Sequence, residues 1–249
     1  MATGLPGADS SSPVTTQVQG QTLIQYATAQ FGQAPVFWGR YFTSPTTGGT
    51  VEYRHATEDG PLNAAGIPVL PVARQTANVD GSADDGAADA TANVADILAS
   101  FGADYLAGLN DTFYVFLDVE GDPSLSASYW TGWSQTLVNS SSNQTGGAVT
   151  LSPCIYATQG DNATWTALAQ AMNAGAACEG AWIARYPAGG CDQILEWDDT
   201  VVTPTAGVPC PILAWQYAGN CGPIDCSQTN PELDPQVALL QFLILPPAD

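Results

Sequence analysis

The sequence predicts a single α/β domain, and a (β/α)8 barrel of the TIM type is the fold class that suits it best. Strand-like and helix-like segments alternate along the chain, which implies parallel strands connected by helices. Six such units are clear in the 249 residues and two are less distinct, and a barrel of this kind takes about 250 residues. An open doubly wound sheet is the alternative, but no Gly-x-Gly-x-x-Gly phosphate-binding turn follows the first predicted strands.

The N-terminal segment differs in composition from the rest of the chain. Residues 1–20 are rich in Gly, Pro, Ser and Thr and predict a flexible arm, which leaves residues 21–249 as a single barrel domain. The first strand of the barrel is therefore expected to be irregular or missing. Residues 1–13 have neither a basic start nor an apolar core, so we do not expect them to act as a signal peptide.

The remaining elements follow from hydrophobic periodicity and from turn residues. Strands are predicted at residues 36–42, 67–74, 112–120, 149–157, 181–186 and 211–217. The clearest helix covers residues 84–101, where apolar residues recur at the i, i+3, i+4 and i+7 spacing of one face. Other helices are predicted at residues 23–31, at 56–65, after Ser126 and around residues 165–172; residues 139–147 are predicted as a polar loop, and the apolar stretch 237–245 has no assigned type.

Charge and cysteine usage exclude several classes of protein. The net charge is −20, with four arginines and no lysine, which argues against nucleic acid or an anionic membrane as partner. No apolar run is long enough to predict a membrane span. The chain has one histidine and no Gly-x-Ser-x-Gly motif, which argues against a Ser-His-Asp hydrolase. It also has no cysteine spacing of the zinc-binding type, so no metal or cofactor is expected.

All six cysteines lie after residue 153. An even number in a polar chain predicts disulfides and an oxidising compartment, hence an extracellular, virion or cell-surface location. The local pair Cys221 and Cys226, on either side of a Gly-Pro turn, is the favoured bridge among fifteen possible pairings. Six buried free thiols are the alternative.

The segment from Leu117 to Asp122 carries the most informative residues. Asp118 and Glu120 lie two positions apart at the end of a predicted buried strand, so their side chains point to the same face. Burying two carboxylates side by side costs free energy, so such a pair indicates a function, and acid–base catalysis is one candidate. A structural ion pair with Arg74 or Arg185 is the alternative.

Further polar and aromatic residues come at the ends of other predicted strands, which meet at one face of a parallel barrel. Carboxylates and aromatic side chains without a metal cluster suit carbohydrate chemistry, since aromatic faces stack on sugars and paired carboxyls supply acid and base. The candidate substrate-binding residues are Arg40, Tyr41, Arg74, Tyr156, Arg185, Tyr186, Trp215, Gln216 and Tyr217, with Asp225 as a further carboxylate.

The order of these motifs resembles that of glycoside hydrolase family 25, the lysozyme-type muramidases. The motifs are residues 116–120, 154–156, 181–186 and 215–217, with Asp225 downstream. Residues 37–41 and 66–69 resemble more closely a related glycoside-hydrolase-like family common in actinobacteria. The likeness covers about residues 20 to 230. It implies a barrel fold and activity on peptidoglycan or a related N-acetylated glycan.

By this resemblance Glu120 would be the general acid, and its neighbour would help to keep a proton on it near neutral pH. Asp118 would orient the N-acetyl group of the substrate or stabilise developing charge, and Asp225 would assist. Family 25 enzymes also carry an aspartate on the first strand, in a Gly-x-Asp-x-Ser context. We expect no match to this motif, because the only acidic residue before Glu52 is Asp9, which lies in the predicted arm. Either a segment such as residues 14–18 replaces the first strand, or the barrel is incomplete.

A second hypothesis comes from a different class of function. A degenerate glycosidase barrel could serve as a non-catalytic carbohydrate-binding module or as a structural protein of a virion or an extracellular filament. An unassigned first-strand aspartate and a lysine-free polar surface favour it. The apolar stretch 237–245, if exposed, would then mediate self-association.

Overall fold

The computed structural model describes residues 2–43, 52–75 and 77–248. Its strands are β1 (Pro6–Asp9), β2 (Gln17–Val18), β3 (Gln21–Thr22), β4 (Trp38–Phe42), β5 (Val69–Arg74), β6 (Thr112–Val119), β7 (Thr150–Thr158), β8 (Ala181–Ala184), β9 (Ile212–Cys221) and β10 (Ile224–Thr229). Eight of them close a barrel in the order β1-β10-β9-β8-β7-β6-β5-β4, and β2 and β3 form a separate hairpin. The predicted barrel class is confirmed.

The barrel departs from full parallel symmetry at one strand. β10 is antiparallel to both of its neighbours, β9 and β1, whereas every other neighbouring pair is parallel. The reason is the short connection between β9 and β10, because a two-residue turn joins antiparallel strands and leaves no room for a crossover helix. This hairpin places Asp225 close to the end of β9.

Helices cover the outside of the barrel. They are α1 (Leu23–Phe31), α2 (His55–Ala65), α3 (Ala83–Phe101), α4 (Ala103–Leu109), α5 (Ala127–Gln144), α6 (Asn162–Asn173), α7 (Asp199–Val202) and α8 (Pro235–Ala238), with a 3-10 turn at Leu240–Phe242. α3 begins at a Ser82 capping box with Asp85. α5 extends to Gln144, so the loop predicted at residues 139–147 is wrong for residues 139–144. The buried Ser141 hydroxyl donates to the Leu137 carbonyl and accepts a hydrogen bond from the Leu151 N–H, which ties this end of the helix to β7.

The first strand lies where an arm was predicted, so that prediction is wrong for residues 6–9. Every residue of β1 is buried, and the strand pairs with both β10 and β4. Its sequence, Pro-Gly-Ala-Asp, has no β-branched or aromatic residue and so gives no strand signal. Small residues are needed there, since a Cβ on Gly7 would lie 2.1 Å from the Phe37 ring.

The alternation of side chains along the strands divides the apolar residues into two layers. The barrel interior includes Phe116, Tyr156 and Trp182, and the Trp182 indole makes edge contacts with Phe37 and Phe116. The outer layer, between the strands and helices, includes the tryptophans of α5.

The C-terminal apolar stretch closes the opposite end of the barrel. Leu239 and Leu243 are buried with the interior residues, and Phe242 stacks on Tyr114 with ring centroids 4.4 Å apart. Ile244 forms a β-bridge with Val69. The stretch therefore packs mainly against other parts of the same molecule, and the expectation that it mediates self-association is not supported.

The disulfide predicted between Cys221 and Cys226 is also wrong. Cys221 is bonded to Cys191 instead. The hairpin register explains this, because Cys221 lies opposite Ile224 while Cys226 lies two residues further on, opposite Ala218. Within the described residues, Cys226 is a buried thiol, and the thiols of Cys178 and Cys210 lie 3.4 Å apart. No helix within residues 2–43, 52–75 and 77–248 has the length and apolarity of a membrane span.

Candidate active site

Four carboxylates meet where the strands end. Asp9 is the last residue of β1, Asp118 the penultimate residue of β6, Glu120 follows β6 directly, and Asp225 lies on β10 opposite Asp9. Their charges act on one another: those of Asp225, Glu120 and Asp118 all help to raise the pKa of Asp9. The closure of the barrel between β1 and β10 thus brings residues 9 and 225, the two ends of the chain, into one site.

Only one of the two carboxylate oxygens of Asp9 has a hydrogen-bond partner among the described residues. Its Oδ2 accepts a hydrogen bond of 2.9 Å from Gln216 Nε2, whereas its buried Oδ1 has no partner among the described residues. Burial, followed by the charge of Asp225, raises the pKa of Asp9 well above its usual value. The neighbouring β4 residue is Gly39, and a Cβ there would lie 2.7 Å from the Asp9 Cβ. Glycine at position 39 therefore provides the space that Asp9 occupies.

Asp118 is the most deeply placed carboxyl of the pair predicted from the sequence. Burial is the main cause, and the charge of Glu120 the second, of a pKa raised to about 8; the Arg74 guanidinium partly offsets them. Asp118 Oδ1 is buried without a partner among the described residues, and Oδ2 lies 3.9 Å from Arg74 Nε. The ion pair with Arg74, which the sequence offered as the alternative, is therefore present only at long range, and the Arg74 side chain is partly exposed. Burial therefore favours the protonated form of Asp118.

Glu120 is exposed and is oriented by two tyrosines. Its Oε1 lies 2.5 Å from the Tyr156 hydroxyl and 3.3 Å from the Tyr186 hydroxyl. Both hydroxyls also lie 2.5 Å from Gln216 Oε1. Two hydroxyl protons are available for these two acceptors, so Tyr156 can donate to Glu120 while Tyr186 donates to Gln216. Gln216 in turn donates to Asp9, so one network joins β1, β6, β7, β8 and β9.

Asp225 is anchored by the turn that precedes it. Its Oδ1 accepts a hydrogen bond of 2.5 Å from the backbone N–H of Asn220. Burial raises the pKa of Asp225, the Asn220 hydrogen bond lowers it, and the charge of Glu120 raises it further. Asp225 is only partly buried and lines a groove at this end of the barrel.

Two of the other predicted residues accompany these carboxylates. The Arg74 guanidinium lies 5.4 Å from the centroid of the Tyr41 ring. Burial and the charges of Asp9, Asp118 and Glu120 raise the pKa of Tyr41, which places its hydroxyl in the field of the cluster. Tyr41 and Arg74 therefore border the cluster on the β4–β5 side.

Three of the predicted substrate-binding residues face away from the site. Arg40 is fully buried in the outer layer and pairs with Glu58, with Nε 2.8 Å from Oε2. Trp215 and Tyr217 are also in the outer layer, and Trp215 Nε1 donates to the Arg185 carbonyl. Side chains alternate along β4 and β9, so inward Tyr41 and Gln216 require outward neighbours. These three assignments are corrected.

Sequence reasoning missed Asp9. Residues 7–11 read Gly-Ala-Asp-Ser-Ser, which is the Gly-x-Asp-x-Ser pattern expected on the first strand of family 25. The pattern was the available signal, but it lies within the segment whose composition predicts an arm.

Shallow grooves lie on both sides of the carboxylates. One, of about 210 Å³, is lined by Ser10, Tyr41, Asn220 and Asp225 among others. The other, of about 260 Å³, is lined by residues 158–160 at the end of β7 and by residues 184–186 at the end of β8. Tyr186, which lines the second groove, also contacts Glu120 through its hydroxyl.

The fold is shared with solved structures at low sequence identity, and neither a family model nor a curated protein matches the chain. An uncharacterized protein of B. stearothermophilus is 20% identical with a TM-score of 0.66, over 96% of this chain and 100% of its own. The catalytic domain of the endolysin ply40, from bacteriophage P40 of Listeria monocytogenes, is 17% identical with a TM-score of 0.51, over 92% and 94%. The chain is thus similar in fold to a phage endolysin catalytic domain.

Proposed function

We propose that this protein is a glycoside hydrolase of the family 25 type, which cleaves peptidoglycan or a related N-acetylated glycan outside the cell. The observation that carries the proposal is the convergence of Asp9, Asp118, Glu120 and Asp225 at the open end of the barrel. The similarity in fold to an endolysin catalytic domain supports it. Asp9 also supplies the first-strand aspartate whose apparent absence favoured a non-catalytic scaffold.

The geometry suggests a division of labour between the paired carboxyls. Asp118 is buried, whereas Glu120 is the member of the pair open to solvent. Glu120 would deliver a proton to the glycosidic oxygen as the bond to the sugar breaks, and a water molecule would then add to the anomeric carbon and return a proton to the Glu120 carboxylate. The Tyr156 hydroxyl would hold the Glu120 carboxyl in position before and after transfer. Protonation of the leaving oxygen by such a group contributes about 10²–10⁴ in rate.

The unpaired carboxylate oxygens favour an N-acetylated substrate. Asp9 Oδ1 and Asp118 Oδ1 are both buried without a hydrogen-bond donor among the described residues. A buried acceptor without a donor costs free energy, so a ligand that brings an N–H or O–H group is favoured. An acetamido N–H would satisfy Asp118 and direct the acetamido oxygen towards the anomeric carbon, where positive charge develops. Asp9 and Asp225 would then stabilise that charge.

The proposal is tested by the release of reducing ends from purified peptidoglycan and from chitin oligomers. We expect activity in the wild type and a loss of at least about a hundredfold in Glu120→Gln. Glu232→Gln, an exposed site after β10, is the matched control and should keep full activity. No release by the wild type on either substrate between pH 4 and 8 would favour a non-catalytic carbohydrate-binding or structural protein.

A further inference from the structure

We propose that Cys178 and Cys210 form a second disulfide when the protein meets a low-molecular-weight disulfide, and that this bridge ties the amino ends of β8 and β9 together. The proposal does not depend on glycan cleavage, because the two cysteines lie at the opposite end of these strands from the carboxylates. It assigns a covalent modification to two thiols that the proposed mechanism does not use.

The two thiols are already in contact. Cys178 precedes β8 and Cys210 precedes β9, and these strands pair in parallel with Ala181 opposite Ile212. Their starts are therefore neighbours, and the Cys178 Sγ lies 3.4 Å from the Cys210 Sγ. A disulfide bond is about 2.05 Å long, so the two sulfur atoms need to approach by only about 1.4 Å. Rotation of the two side chains can supply so small a displacement.

The backbone on the strand side of each cysteine is fixed. The Glu179 N–H donates a hydrogen bond of 2.8 Å to the Pro153 carbonyl, which ties the residue after Cys178 to β7. The Pro211 carbonyl accepts a hydrogen bond of 2.8 Å from the Ala181 N–H, which ties the residue after Cys210 to β8. The contact between the thiols is therefore set by the pairing of the strands.

The connection between β8 and β9 gives such a bridge a structural role. Residues 185–211, all of which are described, contain only the four-residue helix α7, whereas α5 and α6 form long helices after β6 and β7. The existing bridge between Cys191 and Cys221 ties this connection to the carboxyl end of β9. A bridge between Cys178 and Cys210 would hold the same pair of strands at the amino end.

Access to solvent distinguishes Cys210 from the other free thiols. Cys210 is partly exposed, whereas Cys154, Cys178 and Cys226 are buried. Burial, followed by the hydrogen bond with Cys210, raises the pKa of Cys178. Cys210 is therefore the thiol that meets an oxidant from solution first, and Cys178 is the thiol in contact with it that completes the bridge.

The exchange with oxidised glutathione takes two steps. The Cys210 thiolate attacks one sulfur of the glutathione disulfide, so that a bond forms between the two sulfur atoms and one glutathione leaves as a thiolate. The Cys178 thiolate then attacks the Cys210 sulfur and releases the second glutathione. The two electrons and the two protons that the protein thiols lose are gained by the glutathione, which ends as two thiols.

The test is a disulfide map of the full-length protein before and after treatment with oxidised glutathione. Free thiols are alkylated in denaturant without a reductant, and cleavage after acidic residues and after Trp215 places the six cysteines on six different peptides. We expect four alkylated cysteines before treatment and only Cys154 and Cys226 after it, with the Cys178 peptide joined to the Cys210 peptide.

Three results of the map after treatment would overturn the proposal: four alkylated cysteines, glutathione retained on Cys210, or a bridge that includes Cys154. The map is made on the wild type, so it does not depend on the folding of any variant.

Calorimetric unfolding measures what the bridge does. Treatment should raise the melting temperature of the wild type by at least about 5 °C, because the bridge closes a separation of 32 residues. It should leave the Cys178→Ala/Cys210→Ala protein unchanged. Cys154→Ala is the matched control, because it removes a buried thiol and keeps the pair, and it should show the full rise. No rise in the wild type, or an equal rise in the double variant, would overturn the tether between β8 and β9.

Discussion

At the scale of single residues, the proposed chemistry rests on carboxyl groups at the open end of the barrel, and Asp118 shows how burial changes the pKa of such a group. Its pKa is raised to about 8, mainly by burial, so the folded protein holds a proton there that the unfolded chain releases above about pH 4. Folding is therefore favoured at low pH, and this contribution to the free energy of unfolding is lost as pH rises towards 8. The loss is the cost of keeping a protonated carboxyl ready.

We predict that Asp118→Asn, which cannot ionise, is more stable than the wild type at pH 8 and similar to it at pH 4. One pKa unit corresponds to about 1.4 kcal/mol, so the gain at pH 8 should be at least that large. Urea unfolding at the two pH values measures it. Asp234→Asn, at an exposed residue beyond the barrel strands, is the control. A wild-type stability that rises from pH 4 to 8, with no change in the variant, would contradict the protonation of Asp118.

The Tyr156 hydroxyl gives a second prediction at this scale. Tyr156→Phe removes the donor 2.5 Å from Glu120 Oε1 without opening a large cavity. We expect a loss of about tenfold in the rate of glycan cleavage, as for a hydrogen bond to a charged group. Tyr105→Phe, which loses a hydroxyl bonded to the Leu245 carbonyl at the far end, should keep the full rate. Equal rates in the two variants would rule out a role for Tyr156 in orienting Glu120.

At the scale of elements, the contact between β1 and β4 places Asp9. Gly39 lies beside Asp9, and a Cβ at this position would be 2.7 Å from the Asp9 Cβ and 3.2 Å from the Trp182 ring. We predict that Gly39→Ala displaces the carboxylate and reduces cleavage at least tenfold, since a shift of about 1 Å at a catalytic group costs up to a hundredfold.

The control for this variant is Gly108→Ala in α4, where an added Cβ has no neighbour within 4 Å. It should keep full activity and gain slightly in stability, because alanine is the better helix former. Calorimetric unfolding distinguishes displacement of Asp9 from general unfolding. Full activity of the Gly39→Ala protein would show that cleavage does not depend on the present position of Asp9.

The disulfide between Cys191 and Cys221 ties the loop after β8 to the end of β9. It closes a 30-residue separation, for which loop-closure entropy predicts a stabilisation of about 3–4 kcal/mol. We expect a reductant to lower the melting temperature of the wild type and to leave the Cys191→Ser/Cys221→Ser variant unchanged. An equal shift in both proteins would assign the effect to some other bridge.

At the scale of the whole molecule, hydrophobic periodicity predicts most strands and helices of the barrel, but not the pairing of β1 with β10 that closes it. The strands around Phe116 and Ile183 are apolar and lie where the sequence indicates. β1 has four residues without strand propensity, and it is stabilised by pairing with β10 from the other end of the chain. Such long-range pairing leaves no local signal, so the arm was predicted in its place.

The same reasoning explains the mixed outcome at the site. Asp118, Glu120, Tyr156 and Gln216 follow from strand alternation, because each lies near the end of a recognisable strand. Arg40 and Trp215 are each one position away from a residue that faces the site, and so they point to the opposite side of their strands. Their burial depends on partners distant in sequence, which are Glu58 for Arg40 and the Arg185 carbonyl for Trp215. Asp9 had a sequence signal in the Gly-x-Asp-x-Ser pattern of residues 7–11, but the composition of residues 1–20 predicted an arm there.

The central claim, that the carboxylates at the open end of the barrel cleave an N-acetylated glycan, is tested most directly by one rate. The rate of reducing-end release from purified peptidoglycan is compared among the wild type, Glu120→Gln and Glu232→Gln, with folding verified by circular dichroism. The account predicts turnover in the wild type and Glu232→Gln and a loss of at least about a hundredfold in Glu120→Gln. Equal rates in all three proteins, or no turnover in any of them, would contradict it.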